Sequence, residues 1–136
     1  MLREINEPDP APSFSSIKLW VGTWNMGNTP PNAEQMKHWL GVEYGTHGIY
    51  AVGLQESTFP MTKEEKRLAT SLNAYMGELL VACLGTEYRC IETKSMWEIR
   101  LLLIAHEDIL PHLEVLDAAS NPNPNPNPNP NPNPNP

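Results

Sequence analysis

The sequence has few of the features that stabilise secreted proteins or anchor proteins in membranes. Its 136 residues include two cysteines, Cys83 and Cys90, whose spacing fits neither a disulfide framework nor a metal-binding motif. Both lie in apolar surroundings, so we expect buried, reduced thiols. Apolar runs such as residues 101–105 are far too short to span a bilayer, and residues 1–16 contain no apolar stretch typical of a signal peptide. These absences favour a cytoplasmic protein with at most peripheral membrane contact.

Positive charge is also scarce. The chain has 9 Lys and Arg against 16 Asp and Glu, a formal net charge of −7, which argues against a surface for nucleic acid or anionic membranes. One basic cluster, Lys63, Lys66 and Arg67, is interleaved with Glu64 and Glu65, as is typical of a solvated helix face. We therefore predict no nucleic-acid partner.

Composition divides the chain into three parts. Residues 1–16 are acidic and proline-containing, and we expect them to be disordered. In residues 121–136 the dipeptide Asn-Pro recurs eight times, and proline removes every second backbone donor, so this low-complexity tail forms neither helix nor sheet. Residues 17–120 remain, enough for one small domain or a piece of a larger one.

Hydrophobic periodicity predicts alternating strands and helices in this central part. A period of two, or a short apolar run, predicts strands at residues 17–24, 49–55, 87–93 and 97–105, and a fifth near 113–116. The strand at 49–55 is apolar throughout, which is typical of an interior strand covered on both faces. Helical spacing predicts helices at 33–40, capped by Asn32, and at 62–79, where Thr62 and Glu65 form a capping box. We place a turn near Lys94 and Ser95.

Oxygen-bearing side chains follow two of the predicted strands directly. Asn25 lies in Trp24-Asn25-Met26-Gly27, and Glu56 lies in Leu54-Gln55-Glu56-Ser57. Taken singly, such an Asn is usually a turn former and such a Glu a solvent-facing loop residue. Mg²⁺, however, prefers a carboxylate and an amide oxygen while keeping several waters, and ligands bind at strand ends in α/β proteins. Gly27 would permit close backbone approach, and Gln55 could hold Glu56 through its amide.

The two motifs, within residues 21–28 and 49–57, closely resemble the inositol polyphosphate 5-phosphatases of the endonuclease/exonuclease/phosphatase superfamily. Residues 97–103 and 106–108 also look like the family's next strand and turn, so the resemblance spans about residues 17–120. It implies an α/β fold, part of a four-layer α/β sandwich, and Mg²⁺-dependent removal of the 5-phosphate from phosphoinositides or inositol phosphates. Carried over to this chain, Glu56 would be a metal ligand. Asn25 would be a catalytic residue beside the metal and the phosphate, as ligand or hydrogen-bond donor.

The resemblance is incomplete. The family's Gly-Asp-x-Asn-x-Arg segment and its late Ser-Asp-His are absent, and no histidine of this chain follows an aspartate. Those segments would supply the general base and the phosphate-binding histidine, so we expect the chain alone to be inactive. A sandwich cut after its first third would also leave the faces of residues 49–54 and 99–105 uncovered, and the chain marginally stable.

Two other functions stay open at this point. A Mg²⁺-dependent nuclease of the same superfamily would also place Asn and Glu after successive strands, although clustered Lys and Arg would then be expected. A non-catalytic module could instead bind a partner through the uncovered face.

Overall fold

A computed structural model describes residues 16–44, 47–114 and 116. It contains one four-stranded sheet, with strands β1 (Leu19–Asn25), β2 (Ile49–Gln55), β3 (Tyr88–Met96) and β4 (Ile99–His106). The helices are α1 (Ala33–Trp39), α2 (Lys63–Leu68) and α3 (Leu72–Leu84), with 3₁₀ turns at Val42–Tyr44 and Leu110–His112. The disordered segment predicted at 1–16, apart from Ser16, and the Asn-Pro tail at 121–136 lie outside the described residues. No helix within the described ranges is long and apolar enough to cross a membrane.

The sheet is mixed, in the order β1-β2-β4-β3. β1 and β2 are parallel and in register from Leu19 opposite Ile49 to Asn25 opposite Gln55. Because parallel strands need a crossover connection, the chain between them carries α1. β4 runs antiparallel to both β2 and β3. The predicted α/β class is therefore confirmed, and the first two strands end at one edge of the sheet.

The capping residues expected from the sequence act as predicted. The side chain of Asn32 accepts hydrogen bonds from the first turn of α1, at Glu34 N and Gln35 N. Thr62 and Glu65 form the reciprocal capping box at the start of α2. The Thr62 backbone N–H donates to the Glu65 carboxylate and lowers the pKa of that exposed group. Local polar chemistry thus sets where both helices begin.

The single helix predicted over residues 62–79 is wrong, because the chain breaks it into α2 and α3. Ala69 has an extended backbone (φ −135°, ψ 137°), and Ser71 restarts the helix by accepting a hydrogen bond from Ala74 N. Leu68, which the apolar spacing assigned to the buried face, is 67% exposed. A serine that can cap a new helix competes with continuation of the old one.

Two strand boundaries also differ from the prediction. The β3–β4 turn lies at Trp97 and Glu98, not at Lys94 and Ser95, since Met96 pairs with Ile99 across a two-residue loop. Trp97 adopts a positive φ of 56° there, which an aromatic residue rarely does. The described part of the predicted fifth strand, residues 113–114 and 116, is not a strand; it follows the 3₁₀ turn containing Pro111.

One face of the sheet packs against the helices and forms the core. Its fully buried side chains include Met36, Leu40, Tyr50, Val52, Leu54, Met76, Leu80, Leu102 and Ile104. Both cysteines are free thiols, Cys83 buried and Cys90 half-buried, and burial raises the pKa of each. The expectation of burial is therefore confirmed for Cys83 and only in part for Cys90, and the reduced state stays a prediction.

The opposite face of the sheet is uncovered within the described part of the chain. Leu19, Val21 and Leu101 are 57%, 67% and 53% exposed, and apolar side chains line a groove of about 830 Å³ on this face. The inference that β2 is covered on both faces is therefore wrong here: it is interior to the sheet, but Ile49 and Ala51 are half-exposed. An open apolar face of this kind is what the resemblance predicts for part of a layered sandwich.

Neighbouring leucines on β4 test whether this face is open in solution. Leu102 is 1% exposed on the helix side, whereas Leu101 lies on the open side. We expect Leu102→Ala to lower the free energy of unfolding by about 2–5 kcal/mol, or to abolish cooperative unfolding, and Leu101→Ala to change it by less than about 1 kcal/mol. Urea unfolding followed by circular dichroism measures both. Equal losses for the two variants would mean that another layer covers Leu101.

Candidate functional site

The carboxyl ends of β1 and β2 bring the two predicted site residues together. Because these strands are parallel and in register, Asn25 lies opposite Gln55, and Met26 N donates to Gln55 O at 2.8 Å. Glu56 follows directly, and Asn25 Nδ2 donates to Glu56 Oε1 at 3.1 Å. Both side chains are exposed to solvent. The structure thus forms an amide–carboxylate pair at one sheet edge from residues 31 positions apart.

A tight turn after β1 fixes the orientation of the Asn25 carboxamide. Gly27 N donates to Asn25 Oδ1 at 2.9 Å, so the Asn25 NH₂ group is the one that faces Glu56. Gly27 and Asn28 have φ values of 60° and 54°, and Thr29 N donates to Met26 O, as in a type I′ turn. A Cβ on Gly27 would meet no described atom within 4 Å. Among the described residues it is therefore the positive φ that favours glycine, and close approach of a ligand to Gly27 stays a prediction.

Glu56 also has a left-handed backbone, with φ of 45°. Its carbonyl accepts a hydrogen bond from Asn28 N at 2.7 Å, and the Asn28 side chain accepts another from Thr58 N at 3.2 Å. A non-glycine residue with positive φ is strained, and such strain is concentrated at functional sites. The two motif turns are therefore bonded to each other, and this bonding holds Glu56 in an unfavourable conformation.

Gln55 does not hold the Glu56 carboxylate as predicted. Within the described residues, the hydrogen bond to Glu56 comes from Asn25 instead. The Gln55 amide instead lies over Gly53, where its Nε2 is 3.9 Å from the position that a Cβ on Gly53 would occupy. The supporting role assigned to Gln55 therefore belongs to Asn25.

Three supporting residues were not identified from the sequence: Ser57, Glu98 and Arg100. Ser57 is fully buried, and its N–H and Oγ–H both donate to the backbone carbonyl of Glu98, at 3.0 and 2.7 Å. Arg100 Nε donates to Ser57 O at 3.2 Å, and burial lowers the pKa of its guanidinium. The signal available was an arginine at a core-facing position of an apolar strand, since a charge is costly there unless it has a specific partner.

The donor groups at this edge fit a hard divalent cation. Within the described residues, Glu56 Oε2 has no hydrogen-bond partner, and the pair offers oxygen ligands only. No group of three or more His, Cys, Asp or Glu suited to a metal occurs in those residues. A single exposed carboxylate fits Mg²⁺, which keeps several waters, better than it fits Zn²⁺, which takes three or four protein ligands. Asn25 fits the hydrogen-bond-donor role of the two that the resemblance allows.

Histidines that could act in proton transfer lie at the other end of the sheet. His47 precedes β2, and His106 ends β4, where its backbone N–H donates to Gly48 O. Since β2 has seven residues, these side chains are about 20 Å from Glu56. Neither of these two histidines therefore lies beside the Asn25–Glu56 pair.

Comparison with known proteins supports the family predicted from the motifs. The chain is 26% identical over 122 residues to human phosphatidylinositol 3,4,5-trisphosphate 5-phosphatase 1, a match covering 79% of this chain. It is 29% identical over 111 residues to the Xenopus laevis protein of that name, and 28% identical over 117 residues to Arabidopsis thaliana type I inositol polyphosphate 5-phosphatase 13. These matches cover 9–10% of the relatives' lengths. No protein-family model matches the chain.

A solved structure has the same fold. It is the inositol polyphosphate 5-phosphatase domain of SpSynaptojanin in complex with inositol (1,4)-bisphosphate and calcium ion, with a TM-score of 0.50 and 21% identity. The match covers 70% of this chain and 29% of that chain. The described sheet and helices therefore form part of an α/β fold of the endonuclease/exonuclease/phosphatase type. In sequence, the chain is similar to inositol polyphosphate 5-phosphatases, as the motifs predict.

The strain at Glu56 has a measurable consequence. Because glycine adopts a left-handed backbone without the penalty of about 1–2 kcal/mol that other residues incur, we expect Glu56→Gly to raise the free energy of unfolding by about 0.5–1 kcal/mol after loss of the exposed Asn25 bond. Gln55→Gly, one residue earlier in regular β-structure, should lower it by a similar amount. Urea unfolding of both variants checks the pair. Destabilisation by Glu56→Gly equal to that of Gln55→Gly would show that Glu56 is not strained.

Proposed function

We propose that this chain is the metal-binding part of a phosphoinositide 5-phosphatase-type catalytic domain. The observation that carries the proposal is the Asn25–Glu56 contact at the shared carboxyl end of β1 and β2. The relatives named above are 5-phosphatases of phosphatidylinositol 3,4,5-trisphosphate or of inositol polyphosphates. The proposed substrate class is therefore a phosphoinositide or inositol phosphate, met in the cytoplasm with at most peripheral membrane contact.

In this proposal Glu56 binds Mg²⁺ through its carboxylate. Asn25 donates to Oε1 and so directs the remaining lone pairs of the carboxylate, an arrangement known to tune metal affinity. When bound, the cation neutralises charge that develops on the phosphate and orients the attacking water. The calcium ion in the solved relative supports a divalent cation in this fold. The oxygen-only donor set of this chain supports Mg²⁺.

We further propose that the chain alone does not hydrolyse phosphate esters. Glu56 and Asn25 place a metal, but neither accepts the proton of the attacking water while serving that role. His47 and His106 lie at the opposite edge of the sheet. Absence of a general acid or base typically costs about 10²–10⁴-fold in rate, and neither His47 nor His106 is placed to supply one beside the pair.

The uncovered sheet face favours a second candidate, a non-catalytic module that binds a partner through this face. Exposed Leu19, Val21 and Leu101 are the supporting observation. The nuclease alternative has no such support, since the net charge of −7 opposes binding to a polyanion. Thermal unfolding separates the candidates, because a ligand raises the melting temperature only when it binds the folded state. Stabilisation by Mg²⁺ and further by inositol phosphates favours the phosphatase, whereas stabilisation by neither favours the module.

Metal titration tests the main proposal directly. We expect Mn²⁺, a paramagnetic substitute for Mg²⁺, to bind the purified chain at one site that Mg²⁺ competes for, as measured by electron paramagnetic resonance. Glu56→Gln should weaken binding at least about tenfold, because it removes the ligand charge. Glu34→Gln, which neutralises an exposed carboxylate on α1, serves as the matched control and should leave binding unchanged.

Phosphate release tests the second part. The purified chain should release no phosphate above background from vesicles containing a 5-phosphorylated inositol lipid. Release that Glu56→Ala abolishes would contradict the proposed inactivity. Mn²⁺ binding equal in wild type and Glu56→Gln would contradict the assignment of the metal site.

A further inference from the structure

The carboxylate of Glu56 can be placed only if the backbone on both sides of it is held. On one side, Gln55 belongs to β2 and accepts a hydrogen bond from Met26 N. On the other side, Ser57 is the first residue after the left-handed position, and it is completely buried. Whatever holds Ser57 therefore determines the direction in which Glu56 leaves the sheet.

All three polar groups of Ser57 are hydrogen-bonded to one hairpin. Its N–H and Oγ–H donate to Glu98 O at the β3–β4 turn, and its carbonyl accepts from Arg100 Nε on β4. The Glu98 side chain extends this support, since its Oε1 accepts from Asn28 Nδ2 at 3.3 Å. The hairpin therefore contacts both turns of the candidate site, but only Arg100 does so with a buried side chain.

Arg100 is costly for a residue that merely fills the core. It is 7% exposed, faces the helix side next to Leu102 and Ile104, and forms no ion pair within the described residues. Its second hydrogen bond runs from Nη1 to Asn73 Oδ1, near the amino end of α3, where a positive charge is disfavoured. Leucine or methionine would pack at this position without the penalty of burying a charge. What the charged side chain offers in return is the pair of hydrogen bonds that it donates to Ser57 O and Asn73 Oδ1.

The second anchor of Arg100 is itself fixed. Asn73 Nδ2 donates to Ser95 Oγ on β3 at 3.0 Å, so the Asn73 carbonyl oxygen is turned toward the guanidinium. The guanidinium is planar and donates in fixed directions, so one anchor on α3 determines where Nε meets the Ser57 carbonyl. A chain of bonds thus runs from β3 through α3 and β4 to the residue after Glu56.

We propose that Arg100 is a positioning residue for the metal-binding carboxylate: its buried guanidinium fixes the Ser57 peptide and thereby the left-handed backbone of Glu56. This inference rests on the proposed metal role of Glu56 and extends it to a residue that touches neither metal nor substrate. The proposal also predicts that metal affinity and folding stability, which usually fall together, respond differently to the loss of Arg100. Removing Arg100 should weaken metal binding without weakening the fold to the same degree.

The test compares Arg100→Met and Arg100→Lys with Ile104→Val, a core control on the same strand and face. Arg100→Met should raise the Mn²⁺ dissociation constant at least about tenfold, as loss of a residue supporting a ligand does. Its loss of urea stability should be no larger than that of Ile104→Val, because removal of the buried charge offsets part of the cost of leaving the Ser57 and Asn73 carbonyl oxygens without a donor. Arg100→Lys keeps the charge but cannot donate hydrogen bonds to Ser57 and Asn73 with the fixed geometry of a guanidinium. The rise in the Mn²⁺ dissociation constant should therefore be intermediate. Ile104→Val should lower stability and leave the dissociation constant unchanged. If Arg100→Met does not fold, Arg100→Lys alone decides the comparison.

A second measurement does not depend on metal. Hydrogen exchange of the Ser57 amide, which is bonded to Glu98 O, should be at least tenfold faster in Arg100→Met, whereas exchange of the Val52 amide in β2 should not change. Unchanged Ser57 exchange, or a change in Mn²⁺ affinity no larger than that in Ile104→Val, would overturn the positioning role. If wild type binds no Mn²⁺, the proposed function fails, and Ser57 exchange alone decides whether Arg100 holds the Glu56 backbone.

Discussion

The parallel pairing of β1 with β2 is the interaction on which the rest of the structure depends. Its register places Asn25 opposite Gln55, so that two turns distant in sequence leave the sheet side by side. The hydrogen bonds from Met26 N to Gln55 O and from Asn28 N to Glu56 O continue this pairing beyond the strands. A shift of one residue would turn Asn25 to the other face and separate it from Glu56. The candidate site is therefore a direct product of strand register.

The antiparallel hairpin of β3 and β4 gives this edge its rigidity. β4 lies beside β2, and its turn reaches the same end of the sheet as Glu56. The two-residue loop leaves Glu98 O free to accept hydrogen bonds from Ser57. Arg100, on the core-facing side of β4, donates to the Ser57 carbonyl. The cost of the positive φ at Glu56 is thus offset by bonds from two directions. An exposed carboxylate on a rigid backbone loses less entropy on binding a cation than one on a mobile loop.

Sequence reasoning located the parts of this structure that depend on local chemistry. The bounds of β2, the caps at Asn32 and Thr62, and the meeting of Asn25 with Glu56 follow from strand patterns, capping residues and motif spacing. The predictions were wrong or incomplete where residues close in sequence do not determine the local structure. The apolar spacing runs through the break at Ala69, and Trp97 gives no sign of a positive φ. The partners of Arg100 come from separate elements and meet only in the folded chain.

The open face and the candidate site are parts of one surface. Side chains alternate along β1, and Leu19, Val21 and Thr23 form an exposed row that ends at Asn25. A layer of protein covering this row would therefore also border the Asn25–Glu56 pair. Exclusion of water there would strengthen the interaction of the carboxylate with a cation, because charges interact more strongly where the dielectric constant is lower. The uncovered sheet face thus also leaves the Asn25–Glu56 pair exposed on one side.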